Sequence, residues 1–293
     1  MAAAAALPIT RPLLRWHGGK WRLAPWVISF FGAHDGYVEP FGGVWSVGLR
    51  KPRAHAEMWN DLDAELVNLF SILRDPGRAA ALIRAVALTP FARDEFRLAY
   101  EACEAPVERA RRLIIRSWMG QGAVGNHSAA GASGFRSNMI RSTASPRSPI
   151  PAHDWAGYPA ILQRVVARLD GVIIESRPAI ELMAQQDRPG VLFYLDPPYV
   201  GSTRSTAGKR AGTGYLAYAH ELSDDEHAEL LAFIKTLRGM VVLSGYASTL
   251  YDDALDGWVR VEKRAMKDSA GTATEVLWLN AEAARVSPQG RLL

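Results

Sequence analysis

The chain is poor in cysteine: Cys103 is the single one among 293 residues. That excludes a disulfide framework and a cysteine-built zinc site within one chain, and it points to a cytosolic compartment. Long apolar runs are also missing, since nothing approaches the roughly 20 residues needed to cross a bilayer. No basic region precedes the alanines of MAAAAALPIT, so this start does not read as a secretory signal. Repeats are absent. So are the dinucleotide fingerprint G-x-G-x-x-G and the phosphate loop G-x-x-x-x-G-K-[ST], which removes two common nucleotide-binding classes. What remains is 48% hydrophobic and 22% charged, a globular composition. Its net charge of +4 and pI of 9.3 suit a polyanionic partner without requiring one.

Short β-rich runs alternate with longer helical patterns, the signature of an α/β fold with a mostly parallel sheet. Strands are expected at Tyr37 to Pro40, His55 to Trp59, Val172 to Glu175, Val191 to Leu195, Met240 to Ser244, Trp258 to Arg264 and Glu275 to Leu279. Helices are expected at Trp21 to Phe31, Leu62 to Leu73, Arg93 to Glu101, Val107 to Met119, Trp155 to Leu169, Pro178 to Gln185 and Asp224 to Leu237, the last with Ser223 as N-cap. The alternation stops between about Asp75 and Gly171, which predicts a helical insertion. The division is therefore 1–74 with 171–293 as one domain, and 75–170 as a subdomain set into it. A second irregular stretch, Val200 to Gly214, carries Arg204, Lys209 and Arg210 among Gly, Ser and Thr. A loop of that length in a compact domain is functional or disordered.

Three local patterns carry chemistry. In YVEPFGGVWSVGL a short strand runs into Gly42-Gly43 and then a helical pattern. Glycines at the carboxyl end of a strand let the backbone approach a ligand closely. About 20 residues on, Asn60-Asp61-Leu62-Asp63 ends the second strand; Asp61 suits ribose hydroxyls or, equally, a helix cap. RWHGGK sets two glycines and Lys20 before a helix, which is either an anion nest or a plain loop. VLFYLDPPY is the most informative. Asp196 ends a buried strand, and Pro197 and Pro198 cannot extend the ladder or donate amide hydrogens. The result is an acceptor-rich edge beside the flat ring of Tyr199. It fits a planar base with an amino group: Asp196 and the Pro197 carbonyl would accept the two amine hydrogens while Tyr199 stacks on the ring.

In ordered sequence the chain resembles the Dam-like DNA adenine methyltransferases. RWHGGK is similar to their Trp-x-Gly-Gly-Lys segment, VEPFGG to their cofactor loop and NDLDAELVNLF to their acidic second-strand motif. IIESRPAIELM leads into LFYLDPPY as their third motif leads into the catalytic one; VVLSGYASTLYDD and EVLWLN are similar to the closing strands. The glycine loop comes before the insertion and DPPY after it, the alpha-type order. The family loop ends Gly-x-Gly, whereas here it reads Gly43-Val44-Trp45-Ser46.

The resemblance implies a Rossmann-like, mostly parallel seven-stranded methyltransferase sheet with an inserted helical target-recognition subdomain. It implies transfer of a methyl group from S-adenosyl-L-methionine to an adenine amine in double-stranded DNA, with base flipping. Asp196, Pro197 and Tyr199 carry over as catalytic positions. Trp16, Lys20, Glu39, Phe41, Gly43, Asp61 and Asp196 carry over as cofactor contacts, with Asp61 on the ribose and Trp16 near the adenosine. No metal is expected. DNA contacts are expected from Arg136, Asn138, Arg141 and Arg147, within Gln121 to Pro151, and from Arg204, Lys209 and Arg210. Arginine and asparagine read guanine and adenine edges, although a single arginine more often meets a phosphate. Two other readings share these residues: methylation of RNA or of a protein glutamine, and a DNA-binding protein that has lost catalysis.

Overall fold

A strand buried on both faces reads as a continuous apolar run, and VLFYL and MVVLS are runs of that kind. In the computed structural model, which describes residues 8–121, 134–137, 150–200, 220–266 and 272–290, both lie in the middle of one sheet. The strands are β1 (Gly36–Glu39), β2 (Ala56–Asn60), β3 (Val172–Glu175), β4 (Val191–Leu195), β5 (Met240–Tyr246), β6 (Val259–Met266) and β7 (Thr272–Leu279). Their order is β3-β2-β1-β4-β5-β7-β6. The first five in that order pair in parallel, and β7 joins antiparallel to both β5 and β6. All seven expected strands are present, which makes the sheet mostly parallel with an antiparallel edge.

Packing divides the chain into two units: Lys20–Asp63 with Gly171–Leu293, and Met1–Gly19 with Ala64–Asp170. This border differs from the one read in the sequence, because residues 64–74 and the N-terminal segment group with the helices. The sheet lies in the first unit. Alternate residues of β4 face opposite ways, as the pleat demands. Phe193 and Leu195 join Val241, Leu243 and Trp278 on one face, against α8 (Ala179–Gln186) and α9 (Asp224–Ile234). Leu192 and Tyr194 join Val242, Leu277 and Leu279 on the other, against α1 (Ala24–Ile28) and α11 (Ala281–Val286). The Ser223 cap of α9 is a full capping box, with Glu226 answering it.

The connections β1–β2–β3 run one way across the sheet, and β4–β5 the other. The reversal falls between β1 and β4, where Val38 pairs Phe193. Ligands of open α/β sheets sit outside the carboxyl ends of strands at such a reversal.

The second unit is helical: α2 (Ala64–Arg74), α3 (Pro76–Leu88), α4 (Arg93–Leu98), α5 (Pro106–Met119), α6 (Pro151–Ala156) and α7 (Tyr158–Leu169). Amphipathic α5 buries Leu113, Ile114 and Met119. The Leu13 carbonyl accepts from Trp118 Nε1 at 3.2 Å and from the Tyr158 hydroxyl, which ties the N-terminal segment to α5 and α7.

Several elements differ from expectation. The helix expected at 155–169 is two, α6 and α7, broken at Gly157. The helix expected at 21–31 shrinks to α1. No helix follows Gly43: residues 44–50 form turns, because Trp45 takes φ +54°, which a right-handed helix cannot contain. α3 was not placed, although Asp75 accepts from the Arg78 amide at 2.9 Å ahead of Pro76, an N-cap followed by proline. α10 (Thr249–Ala254) and α11 are single short helices that were also not placed.

Candidate active site

The site grows from the carboxyl ends of β1, β2 and β4. Asp196 follows β4 directly, with two prolines ending the ladder behind it. Its Oδ1 accepts from Lys20 Nζ at 2.8 Å and from Ser244 Oγ at 2.9 Å. Ser244 lies on β5, fully buried, and also meets the Tyr194 hydroxyl at 3.0 Å. Lys20 is buried, with its Nζ 4.7 Å from the centre of the Tyr199 ring and 3.5 Å from Glu275 Oε1. The Tyr199 hydroxyl donates to Glu275, and its ring meets Tyr246 edge to face at 4.5 Å between centroids. One ammonium is thus held between two carboxylates and over one aromatic face. A buried ammonium needs such partners, and here they are the expected catalytic residues plus one more.

Burial pushes the Glu275 carboxyl above the usual range, against the pull of Lys20. Burial, with the nearby Asp196 and Glu275 carboxylates, raises the Tyr199 phenol well above its ordinary value, so it stays a neutral hydrogen-bond donor.

On the β1 side, Gly43 takes φ +48°, and a Cβ built there would meet nothing within 4 Å. Its amide donates to Asp61 Oδ2 at 2.7 Å, and the Asp63 amide donates to Asp61 Oδ1 at 2.9 Å. Burial raises the Asp61 pKa, with those amides opposing it. Gly42 is forced by a close approach, since a Cβ there would lie 2.3 Å from the Trp59 indole nitrogen. Asn60 locks the turn from below: its side-chain amide donates to the Pro40 carbonyl at 2.8 Å, and its main-chain carbonyl accepts from Gly42 at 2.7 Å. The departure at Trp45 is absorbed. Its backbone adopts the left-handed conformation that glycine enters without strain, and its indole is buried over Gly48.

Glu39 is 2% exposed, and its Oε1 takes the Tyr37 hydroxyl at 2.6 Å and the Gly48 amide at 2.8 Å. Burial pushes its pKa up to about 8. These contacts make it the clasp of the turn after β1. Phe41 is half-buried against the core face carrying Phe193. Pro197 is buried.

The structure therefore brings Lys20, Asp196 and Tyr199 together, and joins Gly43 to Asp61. Trp16 belongs to the helical unit, where it is buried and its carbonyl accepts from the Gly19 amide at 3.2 Å. Arg136 is half-buried and braces the end of α5: its main-chain amide reaches the Met119 carbonyl at 2.8 Å, and its Nη1 the Trp118 carbonyl at 3.1 Å. Asn138, Arg141, Arg147, Arg204, Lys209 and Arg210 lie outside the described residues. Sequence reasoning missed Glu275 and Ser244 as site residues. Each borders the apolar run of its strand, Ser244 after Met240–Leu243 and Glu275 before Val276–Leu279, and a polar residue in that place was the signal. Among the described residues no helix is long and apolar enough to cross a membrane, and no cluster of His, Cys, Asp or Glu could hold a metal ion.

No curated protein matches the chain. Residues 16–100, which include Lys20, the glycine turn and Asp61 and stop ahead of Asp196, match the family model described as D12 class N6 adenine-specific DNA methyltransferase. Over those residues, and with its mostly parallel seven-stranded sheet, the chain is similar to the D12 class N6 adenine-specific DNA methyltransferases.

Proposed function

We propose that the protein moves the methyl group of S-adenosyl-L-methionine directly to the exocyclic amine of an adenine turned out of duplex DNA. The observation that carries this is the Lys20–Asp196–Tyr199 cluster at the sheet's reversal point. The residues suit the cofactor: Gly43 leaves open space where a side chain would stand, and the Asp61 carboxylate beside it is an acceptor for ribose hydroxyls. Bound S-adenosyl-L-methionine supplies the sulfonium methyl group.

The chain's own residues handle the base. An adenine amine is a poor nucleophile because its lone pair is delocalised into the ring. Asp196 and the Pro197 carbonyl grip its two hydrogens, draw the nitrogen towards tetrahedral geometry and free the lone pair. Lys20 and Ser244 both meet Asp196 through Oδ1, and Oδ2 is the oxygen we assign to the amine. Lys20 fixes the position of the Asp196 carboxyl, and Tyr199 offers the stacking face. With the cofactor bound, its C–S bond would break as the N–C bond forms, S-adenosyl-homocysteine would leave, and Asp196 would take the proton lost from nitrogen and pass it to water. The gain is positioning and electrostatics in a site that excludes water. Asp196 lies inside the sheet unit, so the base must leave the duplex to reach it.

We assign the helical unit to DNA recognition, with Arg136, Asn138, Arg141 and Arg147 as its candidate contacts and Arg204, Lys209 and Arg210 as contacts flanking the flipped base. For Trp16 the adenosine role rests on the resemblance alone. Incubation with tritiated S-adenosyl-L-methionine and, separately, duplex DNA, RNA and bulk protein tests the proposal. Label in DNA alone is expected; label in RNA or protein with none in DNA would overturn it.

A further inference from the structure

We infer that Glu275 is a positioning residue of the transfer site, fixing the Tyr199 ring and sharing Lys20 with Asp196; the inference rests on the methyl-transfer reading. Glu275 opens the sequence EVLWLN on β7 and is 3% exposed. The residues after it are apolar and form the core, and an apolar residue at 275 would close the strand without the cost of burying a carboxyl. The carboxyl is there nonetheless, and it makes two contacts. It accepts the Tyr199 hydroxyl, and its Oε1 lies 3.5 Å from Lys20 Nζ.

Both contacts act on groups that would touch the base or its partner. The Tyr199 ring is held at three points: its hydroxyl by Glu275, its ring by an edge-to-face contact with Tyr246, and one face by Lys20. Register sets this up, because Glu275 lies opposite Tyr246 across the β5–β7 ladder. A ring held so has its orientation settled before the base arrives. On the second side, Lys20 divides its charge between two carboxylates. Glu275 thereby helps to set where the ammonium stands against Asp196. Glu275 touches neither the base nor the methyl donor in this account; it acts through Tyr199 and Lys20.

The test uses the full chain, tritiated S-adenosyl-L-methionine and long natural duplex DNA, with calorimetry of S-adenosyl-homocysteine and thermal melts alongside. Glu275→Ala should lower kcat by about 10-fold to 100-fold, the scale of a misplaced reacting group, with affinity for S-adenosyl-homocysteine unchanged. Glu275→Gln keeps an oxygen acceptor for Tyr199 and the shape of the side chain, so it should fold as the unaltered protein does and fall between the two in kcat. Glu275→Ala combined with Tyr199→Phe should lose less than the product of the two single losses, because both remove one shared contact. Unaltered kcat in either Glu275 variant, or losses that simply multiply, would overturn the assignment. Absence of any transfer by the unaltered protein would instead overturn the methyl-transfer reading, and the role of Glu275 with it.

Discussion

The charges of α5 and those at the carboxyl ends of the sheet strands are treated in opposite ways. On α5 of the helical unit, Arg109 pairs with Glu65, Arg111 with Glu108 and Glu95, and Arg112 with Glu108. The arginines hold Glu108 below the usual carboxyl range, and Arg111 is raised, chiefly by its bond to Glu108. Glu108 and Arg111 there make each other's charge easier to keep. At the carboxyl ends of the sheet strands the shifts run the other way. Glu39, Asp61 and Glu275 are all raised by burial, and only partly relieved by amides, hydroxyls or Lys20. Charges paired to their own advantage hold a fold together. Carboxyls kept where burial disfavours their charge mark a place where chemistry is done. The contrast sets the paired arginines of α5 apart from the acids at the reversal point, which we propose as the site.

Breaking the site side of that contrast should have the largest effect. Asp196→Ala should leave the melting curve near that of the unaltered protein and lower the methyl-transfer rate by about 10²- to 10³-fold or more, the value of one preorganised electrostatic contact. Single-turnover kinetics on duplex DNA measures it. Next comes Asp61→Ala, which removes a half-buried carboxylate and leaves the Gly43 amide without that acceptor. It should weaken S-adenosyl-homocysteine binding by about 1.5–3 kcal/mol, as for hydrogen bonds to a charged group. Calorimetry decides, and unchanged affinity would make Asp61 a brace for the glycine turn and nothing more.

A third change sharpens the comparison through pH. The folded pKa of Glu39 stands at about 8, above its ordinary 4.5, so the folded state holds that proton more tightly than the unfolded chain. The stability it contributes is fully present below the unfolded value and is lost as pH rises through the folded one. Asp61 and Glu275 push the same way, so the informative quantity is a difference. Glu39→Gln, which cannot lose a proton, should be progressively more stable relative to the unaltered protein as pH rises from 5 to 8 in urea melts. A constant offset across that range would contradict the burial argument.

The smallest effect is expected in the helical unit. Arg111→Ala removes bonds to Glu108, Glu95 and Thr89. It should cost about 1–2 kcal/mol of stability in denaturant melts, as partly buried networks do, while turnover per folded molecule stays as it was. A loss of turnover without a loss of stability would put α5 in the reaction after all.

Much of this was legible in the sequence for a physical reason. Strands buried on both faces are short apolar runs between breakers, so all seven could be placed, with Val191–Leu195 correct to the residue. Asp196 stood out because Pro197 and Pro198 follow it, and Lys20 because two glycines precede it. The turn after β1 was misread as helical. Its residues have a helical pattern, and only the buried clasp of Glu39 on the Gly48 amide, with Trp45 in a left-handed conformation, decides otherwise. Those are tertiary facts. Glu275 and Ser244 were missed for a related reason: β5 and β7 reach the site by pairing with each other, and no local spacing joins residue 275 to residue 199 or 244 to 196. The unit border also escaped, since residues 64–74 carry the amphipathic pattern of any helix beside a sheet and reveal their partners, α3 and α5, only by packing.

The central claim is that the acids at the sheet's reversal point serve methyl transfer to adenine in DNA. Nucleoside mass spectrometry of duplex DNA, incubated with S-adenosyl-L-methionine and either the unaltered protein or Asp196→Ala, tests it most directly. The account predicts N6-methyldeoxyadenosine with the unaltered protein and essentially none with the variant. Methylated cytosine in place of methylated adenine, or equal N6-methyldeoxyadenosine from the two proteins, would contradict it.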